Sequence, residues 1–338
     1  DNTELRNLQV ATNGRMDAYP AYGLNTPAAS AFAMRHSDGN LSTSLVATGS
    51  DVKSEGNATL TTIHLKDPIY NIKVDLKYRA YSDVDMIEAW TEIQNGEKGT
   101  VTLTTFASAM LPIRRGDVWM NHLSGSWANE AQLSQEKLQP GAFVITNNDG
   151  IRNSHTDHGE VMFSLSGKGQ ENVGDVIGAA IEYSGNYKLR TVTDDTEYHY
   201  FFAGINEENS EYHLRKGATF KTPALAFTYS KEGLSGASRN FHKWGRKYIL
   251  AHGDQERDIL LNSWEGVYFG INQQRMDQMM ADIHSMGGEL FVMDDGWFGK
   301  KYPRTNDKRG LGDWVVDTKK LPDGIEGLLR DAKKNGVK

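Results

Sequence analysis

Hydrophobic and polar positions alternate along the first two thirds of the chain. In residues 71–81 Ile72, Val74 and Leu76 fall on one side, and Lys73, Asp75 and Lys77 on the other. A period of two is the mark of a strand with one buried face. Similar short runs span Ser44 to Thr48, Ile69 to Tyr78, Met86 to Ile93, Thr100 to Ala107, Val161 to Ser166, Val176 to Tyr183, Tyr198 to Phe202 and Ala224 to Tyr229. Turn residues separate them, as at Asp38-Gly39-Asn40, Asn95-Gly96, Asn148-Asp149-Gly150 and Ser184-Gly185-Asn186. Many strands with almost no helix predict a large antiparallel β-sandwich over residues 1–235, interrupted by polar loops at Ser126 to Gln139 and Asn153 to Glu160.

The period changes near residue 237. Phe241, Trp244, Tyr248 and Ile249 recur at helical spacing and predict a connecting helix within 236–254. From 255 to 338 the pattern is α/β. Apolar runs Ile259 to Trp264 and Leu290 to Met293 flank a helical stripe of Met276, Met279, Met280, Ile283 and Met286, with Asn272 placed as N-cap and Gly287 as the terminating glycine. Strand, helix, strand in about forty residues is a βαβ unit. A loop from Gly296 to Pro322 leads to a second helix from Gly324 to Lys334, with Ile325, Leu328, Leu329 and Ala332 inward. Val337-Lys338 reads as the opening of a third strand.

Composition narrows the function classes. The chain has 338 residues, enough for two domains, and is 38% hydrophobic. Its net charge of −7, with Lys and Arg scattered, argues against a nucleic-acid partner. No apolar run approaches the roughly 20 residues of a membrane span. Cys is absent, which excludes disulfides and thiolate metal sites. The start of the chain is polar and is no signal peptide, and the compartment stays open between cytoplasmic and periplasmic or secreted.

Candidate chemistry gathers at Asp294-Asp295-Gly296-Trp297, the end of the second parallel strand, where α/β folds bind ligands. The paired carboxylates of a retaining glycosidase stand about 5 Å apart across a substrate. Consecutive strand residues point to opposite faces instead, so the residues alone leave these two aspartates open between ligand binding and a turn or cap. Trp264 and Trp297 can line the mouth of the fold or pack in its core. In Gly312-Asp313-Trp314 the favoured role is to pin the loop. Lys300, Lys301, Arg304, Lys308 and Arg309 read as a solvated face. His155 and His158, flanking Asp157, come closest to a metal spacing among ten histidines, and are most simply an exposed turn. Gly310-Leu311-Gly312 does not open a helix and is no phosphate loop.

Residues 262–269 (NSWEGVYF), 290–299 (LFVMDDGWFG) and 310–338 (GLGDWVVDTKKLPDGIEGLLRDAKKNGVK) closely resemble the start of the catalytic barrel of α-galactosidases of glycoside hydrolase family 36. Residues 183–187, 214–230 and 238–249 resemble the end of that family's β-sandwich and its connecting helix. The resemblance implies a β-sandwich followed by the first two βα units of a TIM (β/α)8 barrel, incomplete in this chain. It implies a retaining exo-α-galactosidase acting on α-galactoside oligosaccharides, with no metal or organic cofactor. The nucleophile, in a Lys-x-Asp motif, and the acid/base are expected further along, leaving this chain by itself inactive. Asp294 and Asp295 are then galactose-binding, with Trp264 and Trp297 beside the sugar. An α-N-acetylgalactosaminidase, a galactosyl transferase on the same scaffold, and a non-catalytic carbohydrate-binding fragment stay open as alternatives. A homo-oligomer is also allowed. Many relatives place an acidic residue in a sandwich loop that reaches a neighbouring subunit, but the matching stretch, Tyr19 to Ala28, reads Leu24-Asn25-Thr26, which argues against that contact and its tetramer.

Overall fold

A computed structural model of the protein describes residues 17–23, 29–113, 115–152 and 156–338. Leu24-Asn25-Thr26, His155 and the polar start of the chain lie outside these residues. The chain divides into two compact units, Asp1–Gly253 and Asp254–Lys338.

Among the described residues the first unit holds three antiparallel sheets. The largest runs from Val46–Glu55 through Ala58–Lys66, Ile72–Tyr81, Met86–Asn95, Leu225–Ser230, Val176–Ile181, Asp157–Ser164 and Trp119–Ser126 to Asn129–Lys137, with Thr219–Lys221 also on Met86–Asn95. A four-stranded sheet orders Gly141–Thr146, Tyr187–Thr193, His199–Ile205 and Ala109–Ile113. A three-stranded sheet orders Phe32–Arg35, Val101–Phe106 and Tyr212–Leu214.

The alternation read in residues 71–81 fills a core. Ile72, Val74 and Leu76 are buried with Phe32, Met34 and Leu103. A second core holds Met120, Phe163, Leu189 and Leu225. Strand His199–Ile205 serves both: Phe201 enters the second core, while Tyr200 and Phe202 enter the first. Successive side chains of a strand point to opposite faces, so a strand packed on both sides shows no polar face.

Two polar stretches expected as loops are strands. Asn129–Lys137, within the Ser126 to Gln139 stretch, pairs with Trp119–Ser126, and residues 157–160 open strand Asp157–Ser164. Val46–Glu55 also runs well past Thr48. The reason is position. Val46–Glu55 and Asn129–Lys137 are the two outer strands of the large sheet and are almost wholly exposed, so neither carries a buried face to produce alternation.

The helix after the sandwich spans Gly233–Trp244 and continues as a π-helical turn, Gly245–Ile249, closed by the Leu250 N–H on the Gly245 carbonyl at 2.8 Å. Trp244 is buried with Tyr81, Met86 and Ala226, and Phe241 and Tyr248 pack partly against them. Ile249, expected on the same face, is exposed, because the wider turn rotates it out.

In the second unit Leu260–Asn262 and Leu290–Val292 form a parallel pair crossed over by helix Gln273–Ser285. The Asn272 side chain accepts the Arg275 N–H at 2.9 Å, and Gly287, at φ 88°, ends the helix. Met276, Met280 and Ile283 are buried with Ile271, Leu321 and Leu328. Met286 is exposed instead, as it caps the helix and has left helical phase. Helix Gly324–Asn335 buries Leu328 and turns Leu329 outward, against expectation, because adjacent helix positions diverge by about 100°. Lys338 donates its N–H to Glu289 O at 2.8 Å and accepts the Phe291 N–H at 2.9 Å. Bonding to residues on either side of Leu290 is the parallel-strand pattern. Trp264 does not end the first strand; it begins a short helix, Trp264–Val267.

Candidate functional site

The second strand of the parallel pair ends at Val292, and Asp294 and Asp295 follow as the backbone leaves the ladder. Gly296 has φ 108°, and a Cβ there would lie 3.0 Å from the Phe269 Cα, so the turn after the aspartates requires glycine.

Each aspartate is held by a residue from another segment. The Asp294 N–H donates to the fully buried Ser263 Oγ at 3.0 Å. Its Oδ2 accepts from Asn262 Nδ2 at 2.7 Å, and its Oδ1 from the Asp295 N–H at 2.6 Å. Asn262 also accepts the Trp264 N–H at 2.8 Å, so one amide fixes both Asp294 and the start of the Trp264 helix.

Asp295 meets Arg304. Arg304 Nε donates to Oδ1 at 2.8 Å and to Oδ2 at 3.1 Å, and Nη2 donates to Oδ2 at 2.6 Å. Arg304 is only 5% exposed, which corrects its reading as part of a solvated face. A guanidinium taken out of water needs a charged, well-aligned partner, and the planar fork of Arg matches a carboxylate. Its Nη1 donates to Arg309 O at 2.7 Å, and the group lies 5.3 Å from the Phe269 ring centroid. The Arg304 hydrogen bonds hold the Asp295 carboxyl below its ordinary range, against an opposing push from burial.

Lys320 ties the surroundings together. Its Nζ donates to Phe269 O at 3.0 Å, Gly296 O at 2.6 Å and Arg304 O at 3.0 Å. Burial lowers its pKa, with Asp317 and Asp295 opposing.

The indoles differ in placement. Trp264 is half-buried, edge-on to Tyr268 at 5.3 Å and to Phe269 at 5.0 Å. Trp297 packs against the core of the unit and edge-on to Phe298 at 5.2 Å. Asp313 pins the loop, its Oδ2 accepting the N–H groups of Lys301 at 2.8 Å and Tyr302 at 3.1 Å. Trp314 lies tilted at 44° against Phe298, with ring centroids 4.5 Å apart, and is otherwise exposed. Among the described residues no group of three or more His, Asp or Glu side chains is placed to hold a metal ion, and no helix is long and apolar enough to cross a membrane.

Sequence reasoning missed Asn262, Arg304 and Lys320. One signal pointed toward Arg304: adjacent carboxylates demand a nearby cation, and the following loop carries several.

Two family models match the chain: the glycosyl hydrolase family 36 N-terminal domain over residues 2–215, and melibiase over residues 219–338. Alpha-galactosidase C of Emericella nidulans is 31% identical over 278 residues, covering 82% of this chain and 37% of the relative. Alpha-galactosidase AgaA of Geobacillus stearothermophilus is 29% identical over 339 residues, covering 95% of this chain and 46% of the relative. Its crystal structure superposes with a TM-score of 0.86 at 28% identity, covering 95% of this chain and 46% of that one. Variants of AgaA have been solved with stachyose and with raffinose. The chain thus spans less than half the length of these relatives.

Proposed function

We propose a function from one premise: the chain belongs to glycosyl hydrolase family 36. The protein that contains it is a retaining exo-α-galactosidase, removing terminal α-galactose from oligosaccharides of the raffinose and stachyose kind. Residues 1–235 act as the sandwich domain, 236–254 as the helical connection and 255–338 as the first two βα units of the catalytic barrel. Asp294 and Asp295 receive galactose hydroxyls, Trp264 forms a wall against the apolar face of the sugar, and Trp297 backs it.

The supporting observation is the way the two carboxylates are tethered. Asn262 holds one and Arg304 the other, both at the C-terminal end of a parallel strand. A carboxylate oxygen has two lone-pair sites, so Asp294, with one hydrogen bond on each oxygen, keeps a site on both, and Asp295, with two contacts on Oδ2 and one on Oδ1, keeps its capacity on Oδ1. Charge-assisted hydrogen bonds of that kind suit a ligand rich in hydroxyls.

Asp295 does not suit the part of general acid in the displacement. A general acid must keep its proton near neutral pH, and Arg304 does the reverse to Asp295. We assign the nucleophile and acid/base to other aspartates of the barrel, the nucleophile in a Lys-x-Asp motif. The double displacement needs two carboxyl groups and water.

Asp295→Asn in the full-length protein tests the assignment. Hydroxyl contacts tighten as the sugar approaches its oxocarbenium-like transition state, so KM rises and kcat falls. One lost hydrogen bond to a charged group corresponds to a roughly 10- to 100-fold drop in kcat/KM. An unchanged kcat/KM would remove Asp295 from the site.

A further inference from the structure

We propose that Arg304 is a positioning residue for sugar binding: its guanidinium fork locks the Asp295 carboxylate in one rotational setting, so that the acceptor site left on Oδ1 meets a substrate hydroxyl. This rests on the reading of Asp295 as a galactose ligand.

The terminal torsion of an aspartate is broad, and a carboxylate held by one donor can swing. Three short contacts from Arg304 remove that freedom. The fork is itself immobilised. Arg304 Nη1 is bound to Arg309 O, and the guanidinium lies over the Phe269 ring. The Arg304 carbonyl and the Gly296 carbonyl both accept from Lys320 Nζ. A closed ring results, running from Asp295 through Gly296, Lys320 and Arg304 and back across the guanidinium to the carboxylate. Every link is a covalent bond or a hydrogen bond, and within it the Asp295 side chain is more exposed than the Arg304 side chain, 25% against 6%. A ligand group fixed before substrate arrives loses no torsional freedom on binding, and displacement of such a group by about 1 Å can cost about 100-fold in rate.

Five charged groups bear on this arrangement: Arg304 on the loop, Lys320 before the second helix, Asp294 as the neighbour that accepts the Asp295 N–H, Asp307 acting on Arg304, and Asp317 acting on Lys320. Without Arg304, Asp295 would keep Lys320 and face Asp294 with less compensation. Its carboxyl would then take up a proton at higher pH and lose acceptor capacity as it did so.

The experiment uses the full-length protein, with Arg304→Gln, Arg304→Lys and the double variant Arg304→Gln/Asp295→Asn. Aryl α-galactoside hydrolysis is followed against pH, together with the ¹³C titration of the Asp295 carboxyl. Arg304→Gln should lose about 100-fold in kcat/KM and shift the acid limb to higher pH. Arg304→Lys should keep the acid limb near its original pH but not recover the rate, because a lysine supplies the charge without the fork. In the Asp295→Asn background, Arg304→Gln should add less than threefold, since both act through one group. A kcat/KM of Arg304→Gln within twofold of wild type overturns the proposal, and so does a loss with the acid limb unmoved. Additive losses in the double variant also overturn it. If Arg304→Gln fails to fold, Arg304→Lys decides: recovery of the wild-type rate overturns the proposal, and a persistent loss with the acid limb in place supports it. Wild type that hydrolyses no α-galactoside would instead defeat the functional reading. The carboxyl titration would then still judge the fork, which fails if Asp295 titrates alike in wild type and Arg304→Gln.

Discussion

Two adjacent carboxylates at one strand end repel each other, and the residues around Asp294 and Asp295 relieve that repulsion by different means. Asp294 accepts hydrogen bonds from neutral dipoles, those of Asn262 and of the backbone N–H of its neighbour, and Asp295 meets a full opposite charge on Arg304. The aspartates themselves were legible, because two acids followed by Gly and Trp close an apolar strand run. Arg304 was not. It stands among Lys300, Lys301, Lys308 and Arg309 in a loop whose path is set by Asp313, Lys320 and the Phe298–Val316 bridge, none of which has a local sequence pattern. A second charged group makes a pH prediction. His64 lies between Asp51 at 2.9 Å and Asp75 at 2.7 Å, on three neighbouring strands, and hydrogen bonds to both carboxylates raise its pKa. A histidine pKa raised by folding stabilises below its unfolded value of about 6.5, and the contribution is lost as pH rises through the folded value. Proton NMR of the imidazole should show titration above 6.5 in wild type and a downward shift in Asp51→Asn. Titration at or below 6.5 in wild type would contradict this.

Among the elements, legibility follows burial. The Gln273–Ser285 helix declared itself through its methionine stripe, its N-cap and its closing glycine, because each answers to a local physical demand. The outer strands Val46–Glu55 and Asn129–Lys137 gave no such signal, since an exposed edge imposes no alternation. The helix also shows where periodicity overreaches. Met276 and Met286 belong to one stripe by sequence, yet Met276 is fully buried and Met286 is 72% exposed. Met276→Ala should therefore destabilise by about 2–5 kcal/mol, and Met286→Ala by no more than about 0.5 kcal/mol. Urea unfolding of the two variants measures this difference, and equal midpoints would contradict the packing described for the helix.

At the scale of the whole molecule, the sequence announced a sandwich and then a βαβ start, and the structure has both. The division of the first unit into three sheets could not be read locally. Ala89 pairs with Leu225, and such partners are chosen by the folded core and not by neighbours in sequence. The run Tyr200-Phe201-Phe202 looks uniformly apolar, and only the folded strand distributes its members between two cores. The chain belongs to family 36, and the relatives whose chemistry is proposed for it are more than twice as long. The most direct measurement is nitrophenol release from an aryl α-galactoside, comparing residues 1–338 with the full-length protein. Turnover is expected from the full-length protein and none from residues 1–338, because the proposed part of Asp294 and Asp295 is to bind the sugar and not to displace its leaving group. Turnover by residues 1–338 would contradict that division of labour, and a silent full-length protein would contradict the α-galactosidase assignment.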